Sequence, residues 1–440
     1  MPSAIVIGGG LAGMSAAAAL GEAGFEVNLY ESRGFLGGRA TSYPLPGEDG
    51  ASGEIDNCQH VLLRCCVNLL DFYERLGAAS KIRFYSEFFF LEPGGRLSRL
   101  RRGVLPPPLH FAGSFLRMPC LNFSDKAAIG RAIRAIEREH QRADLDRITM
   151  LDWLREHRQT SRAISRFWNQ VLVSAINEDL DRMAASHGFQ VFRLGFLASR
   201  DSYEMGVPSA PLAELYSSEQ WGRIGNVRLN MRSAVERVEF SGGRVTGVLS
   251  RGERKTADYY ISSLPFERLT AAAPGFEASL DGFSHSPITG IHLWFDRPVT
   301  ELPHATLLDR TVQWMFNKSD GRYLQLVVSA SRKLVEMSKG EVVEMALREL
   351  SEFFPAARSA KLEKAHVVKE VRATFSAGPG LESRRPTSRT AVPNFFLAGD
   401  WTKSGWPATM EGAVRSGYLA AEAVTGTAGA PRKFLIPDIA

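Results

Sequence analysis

The chain is poor in the features that build metal centres, disulfide scaffolds and membrane spans. Four cysteines stand in 440 residues: Cys58, Cys65, Cys66 and Cys120. None forms a C-x-x-C and two are adjacent, which argues against zinc and for a reducing compartment. Nine histidines are scattered with no H-E-x-x-H, so no metal is expected. His140 and His157 fall in charged helical stretches and read as solvated surface residues. No run of eighteen apolar residues occurs, which excludes an ordinary spanning helix. No basic stretch is interleaved with aromatics, so nucleic acid is not an expected partner. Repeats and low-complexity tracts are missing, and nothing ahead of the first strand reads as a signal. The cation excess is slight, +5, with a pI of about 9.0. That balance suits an anionic cofactor or an anionic membrane surface without demanding either.

What is present is ordinary globular material, 44% hydrophobic and 23% charged. A chain this long forms more than one domain or one large split domain. Its first residues carry the strongest signal. Ala4-Ile5-Val6-Ile7 is a short β-branched run. Gly8-Gly9-Gly10-Leu11-Ala12-Gly13 follows at once, then an alanine-rich helix, then Glu26-Val27-Asn28-Leu29-Tyr30-Glu31. Strand, G-x-G-x-x-G, helix, strand and acid make a dinucleotide cradle. Gly8 permits the turn, Gly10 lets a pyrophosphate approach the backbone, and Gly13 lets helix lie close on sheet. Free N–H groups at the helix start face the phosphates. Glu31 sits where an acid bonds ribose hydroxyls, which favours NAD or FAD over NADP.

A glycine-rich loop runs from Ser32 to Thr41, and a polar turn-rich stretch from Pro44 to Gly53. Val67 to Leu76 reads as a helix closed by Gly77. Phe84-Tyr85 and Phe88-Phe89-Phe90 alternate with polar residues like strands. Arg96, Arg99, Arg101 and Arg102 then precede the proline-broken apolar patch Leu105 to Met118. That patch is either a loop packed on the core or a membrane-touching, substrate-entry segment. Asp125 to Gln190 is mostly helical by period, with Ser124 as an N-cap. Strands are expected at Val227–Asn230, Val235–Phe240, Val245–Ser250, Tyr259–Ile261, Ile288–Phe295, Thr311–Phe316 and Tyr323–Ser329, and a helix at Val342–Phe354. Phe395-Phe396-Leu397-Ala398-Gly399-Asp400 is a further buried strand ending in Gly-Asp, and a helix begins near Met410. A second helix start beside an acid suits the greater length of FAD.

Gly37-Gly38-Arg39, Ala398-Gly399-Asp400 and Met410-Glu411-Gly412-Ala413 resemble the FAD-dependent amine oxidase and carotenoid desaturase superfamily, through most of the chain. Asp56-Asn57-Cys58-Gln59-His60-Val61-Leu62-Leu63, Leu293-Trp294-Phe295-Asp296-Arg297-Pro298, Val312-Gln313-Trp314 and the segment Ala398 to Met410 resemble one bacterial branch. That branch is the hydroxysqualene dehydroxylases of hopanoid biosynthesis, also called squalene-associated FAD-dependent desaturases. The resemblance implies an α/β fold: a Rossmann-like FAD-binding domain of the glutathione-reductase type plus a mixed α+β substrate domain. The first is expected from residues 1–80, 200–270 and 385–440, the second from 81–199 and 271–384. It implies that Gly8, Gly10, Leu11, Ala12, Gly13 and Gly38 hold the pyrophosphate and Glu31 with Ser32 the adenosine ribose. Arg39 neutralises phosphate, and Val235 meets the adenine end through its backbone. Gly399 and Asp400 hold the ribityl–pyrophosphate region, and the Met410 N–H faces the flavin's pyrimidine ring. Cys58, Gln59, Trp406 and Thr409 fall near the ring. Cys58 and Arg64 stand where related sequences usually carry glycine.

The implied reaction converts 12-hydroxysqualene, an allylic alcohol, to squalene with loss of water. It needs a proton donor for the hydroxyl, a water-excluding site and hydride from reduced FAD. His60 is either that donor or a structural histidine bonded to backbone. The implied substrate is a long-chain isoprenoid, with Arg96 to Met118 near the mouth of an apolar tunnel. The implied location is cytoplasmic, peripheral to the inner face of the membrane, with other hopanoid-pathway enzymes as partners. The rival readings are an oxidative carotenoid-type desaturase, an amine oxidase (with Thr409 where an aromatic is usual) and a non-catalytic flavin-binding scaffold. A nicotinamide reductase lacks support, because Gly378-Pro379-Gly380 is no second full G-x-G-x-x-G.

Overall fold

The computed structural model describes residues 1–45, 53–277 and 280–439. The expected turn between Pro44 and Gly53 lies largely outside them; its flanks, Ser42–Leu45 and Gly53–Asp56, pair as an antiparallel hairpin. The apolar run Ser3–Ile7 becomes the middle of a five-stranded parallel sheet. Its order is Val227–Asn230, Glu26–Tyr30, Ser3–Ile7, Tyr259–Ser262, Phe395–Leu397. Parallel neighbours need crossover connections, so three separated stretches of chain feed one sheet. Ile7 is level with Tyr30 on one side and Ser262 on the other, which brings the carboxyl ends of the strands to one edge. Open α/β sheets bind their ligands at that edge.

Helix Leu11–Glu22 is buried along nearly its whole length because its alanines and glycines present little bulk. The C-terminal helix Met410–Thr427 crosses it closely. A Cβ on Gly417 would fall 2.3 Å from the Ala12 carbonyl oxygen and 2.1 Å from Ser15 Oγ. Small residues on both helices thus let the two ends of the chain meet.

A second sheet of seven strands runs Leu362–Phe375, His285–Phe295, Tyr323–Ser329, Trp314–Ser319, His304–Leu307, Glu87–Leu91, Leu97–Arg101. Side chains alternate across a strand, and the two faces differ. Ile291, Leu293, Leu324, Leu326 and Met315 share an apolar core with helix Lys339–Phe353. Gly290, His292, Tyr323, Gln325 and Phe316 lie on the other face, which meets the loop after Asp56. A Cβ on Gly290 would sit 3.1 Å from the Asn57 carbonyl oxygen.

Several boundaries differ from expectation. Ser124 does not cap its helix. The helix is Phe123–Glu139, and the Asn122 side chain accepts from the Asp125 N–H while Asp125 accepts from the Asn122 N–H. This reciprocal box needs an acid three residues past the cap, which Asn122 has and Ser124 lacks. A second such box, Ser338 with Glu341, starts the later helix at Lys339 rather than Val342. The strand read from Thr311 begins at Trp314, because the Thr311 and Val312 N–H groups donate to the Glu349 carboxylate instead of a ladder. Phe88 to Leu91 do not alternate; all four are buried, covered on both faces. His157 is not solvated: it packs on Trp153, ring centroids 4.3 Å apart, and bonds Glu139. His140 Nδ1 donates to the Glu137 carbonyl in an exposed setting.

Candidate active site

The cradle stands at the carboxyl edge of the parallel sheet. Gly8 has φ +108°, a conformation that favours glycine. Ser263, just past the neighbouring strand, donates its hydroxyl to the Ile7 and Gly8 carbonyls at 2.8 and 2.9 Å. A Cβ on Gly13 would lie 2.0 Å from the Gly8 carbonyl oxygen. Gly10 caps helix Leu11–Glu22 without a side-chain bond. No described residue accepts from the N–H groups of Leu11, Ala12 or Gly13. A Cβ on Gly10 would meet nothing closer than Gly38 Cα at 3.9 Å. Open space in front of orphaned helix-start donors fits a diphosphate. Glu31 is buried and holds the loop: it accepts from the Gly9 N–H, the Arg33 N–H and the Ser32 hydroxyl. The Ser233 N–H donates to the Glu31 carbonyl at 2.7 Å, which brings Val235 to the acid's side of the sheet.

The far end of the sequence completes the edge. Gly399, at φ +136°, donates its N–H to Ser416 Oγ, and a Cβ there would lie 2.5 Å from Trp401 Nε1. Buried Asp400 follows and accepts from Arg39 Nη2 at 2.6 Å. Burial opposes charge on Arg39, and the Asp400 carboxylate overcomes it and raises the guanidinium. Two expected cofactor residues, 361 positions apart, therefore form one ion pair. Thr409 Oγ1 accepts from the Gly412 N–H and caps the last helix. The Met410 and Glu411 N–H groups find no acceptor among the described residues. Trp406 donates its Nε1–H to Asp438 and packs under Arg415, so its polar edge points to the C-terminal tail.

Two residues gave no clear sequence signal. Arg385 is buried; it bonds Glu382 and donates to the Asp400 and Thr402 carbonyls, pinning the loop that carries Asp400. Glu411, quoted only as part of a motif, is fully buried and accepts from the Asn68 N–H, Asn68 Nδ2 and the Leu69 N–H. It thereby caps helix Val67–Arg75, whose own Cys66 cap offers no side-chain bond. Burial pushes its carboxyl up to about 7 against those hydrogen bonds.

Residues 57–60 form the expected ring-end loop. Cys58 is buried, which pushes its thiol up to about 12, so it stays protonated. Its sulfur lies over Gly290, where the strand opposite gives it room. His60 Nδ1 must donate to the Cys58 carbonyl at 2.9 Å, and burial lowers its pKa. Asp56 and the Cys58 and Arg39 carbonyls oppose that lowering. Gln59 Oε1 accepts from Lys318 Nζ at 3.0 Å, and Asp56 Oδ2 stands 3.7 Å from the same amine. Burial lowers the Lys318 pKa. Nothing in the sequence singled out Lys318; it lies in a strand separated from the loop by more than 250 residues. Around it the inner sheet face is polar: His292 Nδ1 bonds Tyr323 Oη at 2.7 Å, His366 Nε2 lies 3.4 Å from Tyr43 Oη, and Gln325 Oε1 has no partner among the described residues. Arg64 is committed elsewhere, to Glu204 and the Phe84 ring.

The family model described as flavin containing amine oxidoreductase matches residues 11–425. The zeta-carotene desaturase of Synechocystis is 26% identical over 474 residues, covering 95% of this chain and 96% of that protein. The 15-cis-phytoene desaturase of Synechococcus elongatus is 27% identical over 457 residues, covering 95% of each. Among solved structures, an oxidoreductase from Methanosarcina mazei superimposes with a TM-score of 0.72 at 16% identity, covering 96% of this chain and 100% of that one. Cyclohexylamine oxidase from Brevibacterium oxydans gives 0.69 at 17% identity, covering 97% and 99%. The architecture is that of the amine oxidase fold, a cofactor-binding α/β part plus a substrate part. The cofactor is FAD.

Proposed function

The chain belongs to the flavin-containing amine oxidoreductase family, and within it we propose that this enzyme reductively removes the hydroxyl of 12-hydroxysqualene to give squalene and water. FAD, when bound in its reduced form, supplies the hydride. The protein's part is to hold the diphosphate on the orphaned N–H groups of Leu11, Ala12 and Gly13, to place the ring end beside Gln59 and Met410, and to recognise the alcohol. One observation carries the reading. The inner face of the seven-stranded sheet sets Lys318, Tyr323, His292 and Gln325 opposite the ring-end loop. His292, Tyr323 and Lys318 have partners of their own, but Gln325 Oε1 has none among the described residues, and leaving it so against pure hydrocarbon costs roughly 1–3 kcal/mol. A hydroxylated substrate brings the donor that this face lacks.

Magnitudes point the same way. Moving one CH₂ out of water is worth about 0.8 kcal/mol, but a substrate drawn from a bilayer is already in hydrocarbon. Selectivity then rests on shape and on contacts to the hydroxyl. The second reading, oxidative desaturation, is favoured by the zeta-carotene and phytoene desaturases among the relatives. Product mass separates the two. The FAD-loaded enzyme with a chemical reductant is expected to turn 12-hydroxysqualene into a product lacking its oxygen. In a parallel incubation with oxidised FAD, a quinone as electron acceptor and no reductant, a product short of two hydrogens would replace the first reading with the second.

We also propose that the chain meets the bilayer through the segment after Arg96. No helix of the described residues is long and apolar enough to cross a membrane. Val104, Leu109, Leu116 and Phe123 are nonetheless 90, 57, 60 and 84% exposed, while His110 and Met118 anchor the segment inward. Arg96, Arg99 and Arg102 are each paired with an acid, so the apolar side chains rather than those cations dominate the patch. Replacing Leu109 and Phe123 together with aspartate is expected to weaken sedimentation with anionic lipid vesicles at least about tenfold, given 1.5–3 kcal/mol per buried large side chain. Undiminished vesicle binding would sink the assignment of this surface.

A further inference from the structure

His304 opens the strand His304–Leu307 and is 1% exposed. Neither of its ring nitrogens has a hydrogen-bond partner among the described residues. Its surroundings are aromatic: Tyr85 and Phe89 at 5.0 and 5.3 Å between ring centroids, Trp314 and Phe316 both at 6.3 Å, Phe88 at 6.5 Å. Two residues on, Thr306 Oγ1 is also unpartnered. Buried polar groups are almost always bonded, and a cluster that is not calls for an explanation. On the same sheet face, His292 has its partner in Tyr323 and His366 lies 3.4 Å from Tyr43 Oη.

The position of His304 supplies the explanation. It pairs across the ladder with Phe316. Lys318, two residues further along that strand and roughly 7 Å on, reaches Gln59 of the ring-end loop. His304 therefore shares the sheet face of Lys318, one cross-strand pair and two residues away from it. A neutral imidazole offers one donor and one acceptor, and an alcohol offers the same pair in return. The aromatic walls provide apolar packing on either side, and the Trp314 N–H is taken up by Ser174 Oγ.

We propose that His304 is the hydroxyl-recognition residue of the substrate site, bonding the alcohol oxygen of a long-chain isoprenoid within the ring of Tyr85, Phe88, Phe89, Trp314 and Phe316. The substrate class rests on the dehydroxylase reading above. Burial also lowers the His304 pKa to about 4, which keeps the imidazole neutral at physiological pH.

The test titrates FAD-loaded protein with 12-hydroxysqualene and with squalene, both delivered from detergent micelles, and follows the visible absorbance of the bound flavin. The unaltered protein is expected to prefer the alcohol at least tenfold. H304F is expected to lose that preference while binding squalene as before, and H304Q, which keeps a donor and an acceptor, to retain most of it. Equal affinities in the unaltered protein, or an intact preference in H304F, would overturn the proposal. Should either variant fail to fold, equal affinities for the two ligands in the unaltered protein would still overturn the proposal. Preference for the alcohol without any squalene formed would leave this recognition standing and remove the proposed reaction instead.

Discussion

Changing Gly10 to valine is expected to strip FAD from the protein while leaving the apoprotein intact, whereas the same change at Gly13 breaks both. The two glycines serve different partners. At Gly10 the backbone is extended, φ −76° and ψ 175°, and a side chain would enter open space, with Gly38 Cα 3.9 Å away as its nearest neighbour. That space is where a diphosphate meets the N–H groups of Leu11, Ala12 and Gly13. A branched side chain there displaces the phosphate, and its Cβ meets Gly38 only at ordinary contact distance. At Gly13 a Cβ would overlap the Gly8 carbonyl oxygen at 2.0 Å and Ser263 Oγ at 2.5 Å, and each directly follows a strand of the sheet. Helix and sheet must part to admit it, at several kcal/mol by the measure of overpacked cores. Flavin affinity of Gly10→Val is expected to fall at least a hundredfold. Its apoprotein melting temperature should shift by no more than about 3 °C, the equivalent of roughly 1 kcal/mol. Gly13→Val should melt far lower or fail to fold. Calorimetry on apoprotein and flavin absorbance after dialysis read both. A yellow Gly10→Val protein of normal affinity would put the diphosphate somewhere else.

The same contrast explains what a reader of the sequence could see. Gly8, Gly10, Gly13 and Glu31 were legible because each acts within about two dozen residues of the others, and local spacing carries the information. The Gly399-Asp400 strand end and the Met410 helix start were legible for the same reason. What local spacing cannot carry is the meeting of distant segments. Arg39 and Asp400 were each visible, but not that they pair. Lys318 and Arg385 sit in stretches with no pattern of their own and gain a role only because folding sets them beside Gln59 and Asp400. Glu411 lay within a quoted motif, yet its task is to cap a helix near the other end of the chain. Boundaries failed where a side chain reached the backbone first, as Asn122 does ahead of Ser124 and Glu349 does at Thr311. His304 escaped notice because a lone histidine before a short apolar strand reads as core, and its want of partners is a property of the fold.

Stability is expected to drop steeply as pH falls from 6.5 towards 4, and the cause is the buried histidines; of the four among the described residues, His110 is lowered and the other three are lowered furthest. His187, His292 and His304 are 5, 0 and 1% exposed. Burial lowers their pKa values to about 3, 3 and 4. Each is neutral when folded and takes up a proton near pH 6.5 when unfolded. Below 6.5 the unfolded chain therefore binds more protons, and stability falls with pH until the folded pKa is reached. At pH 5 this amounts to about 2 kcal/mol for each ring, about 6 kcal/mol for the three. Glu411 works the other way. Its folded pKa is raised to about 7, so the folded chain gains its proton first and is favoured as pH falls from 7 to 4.5. By pH 5 that returns about 3 kcal/mol, half of what the histidines remove. The net loss, about 3 kcal/mol, is a large share of a typical 5–15 kcal/mol. Urea midpoints of the flavin-loaded protein, at fixed excess FAD between pH 7.5 and 5, measure the slope. H304F should flatten it and Glu411→Gln should steepen it, whatever either does to the midpoint at pH 7.5. A midpoint that holds level down to pH 5 in the unaltered protein would mean that these imidazoles reach water or a proton acceptor in the fold, and the unpartnered state assigned to His304 would go with it.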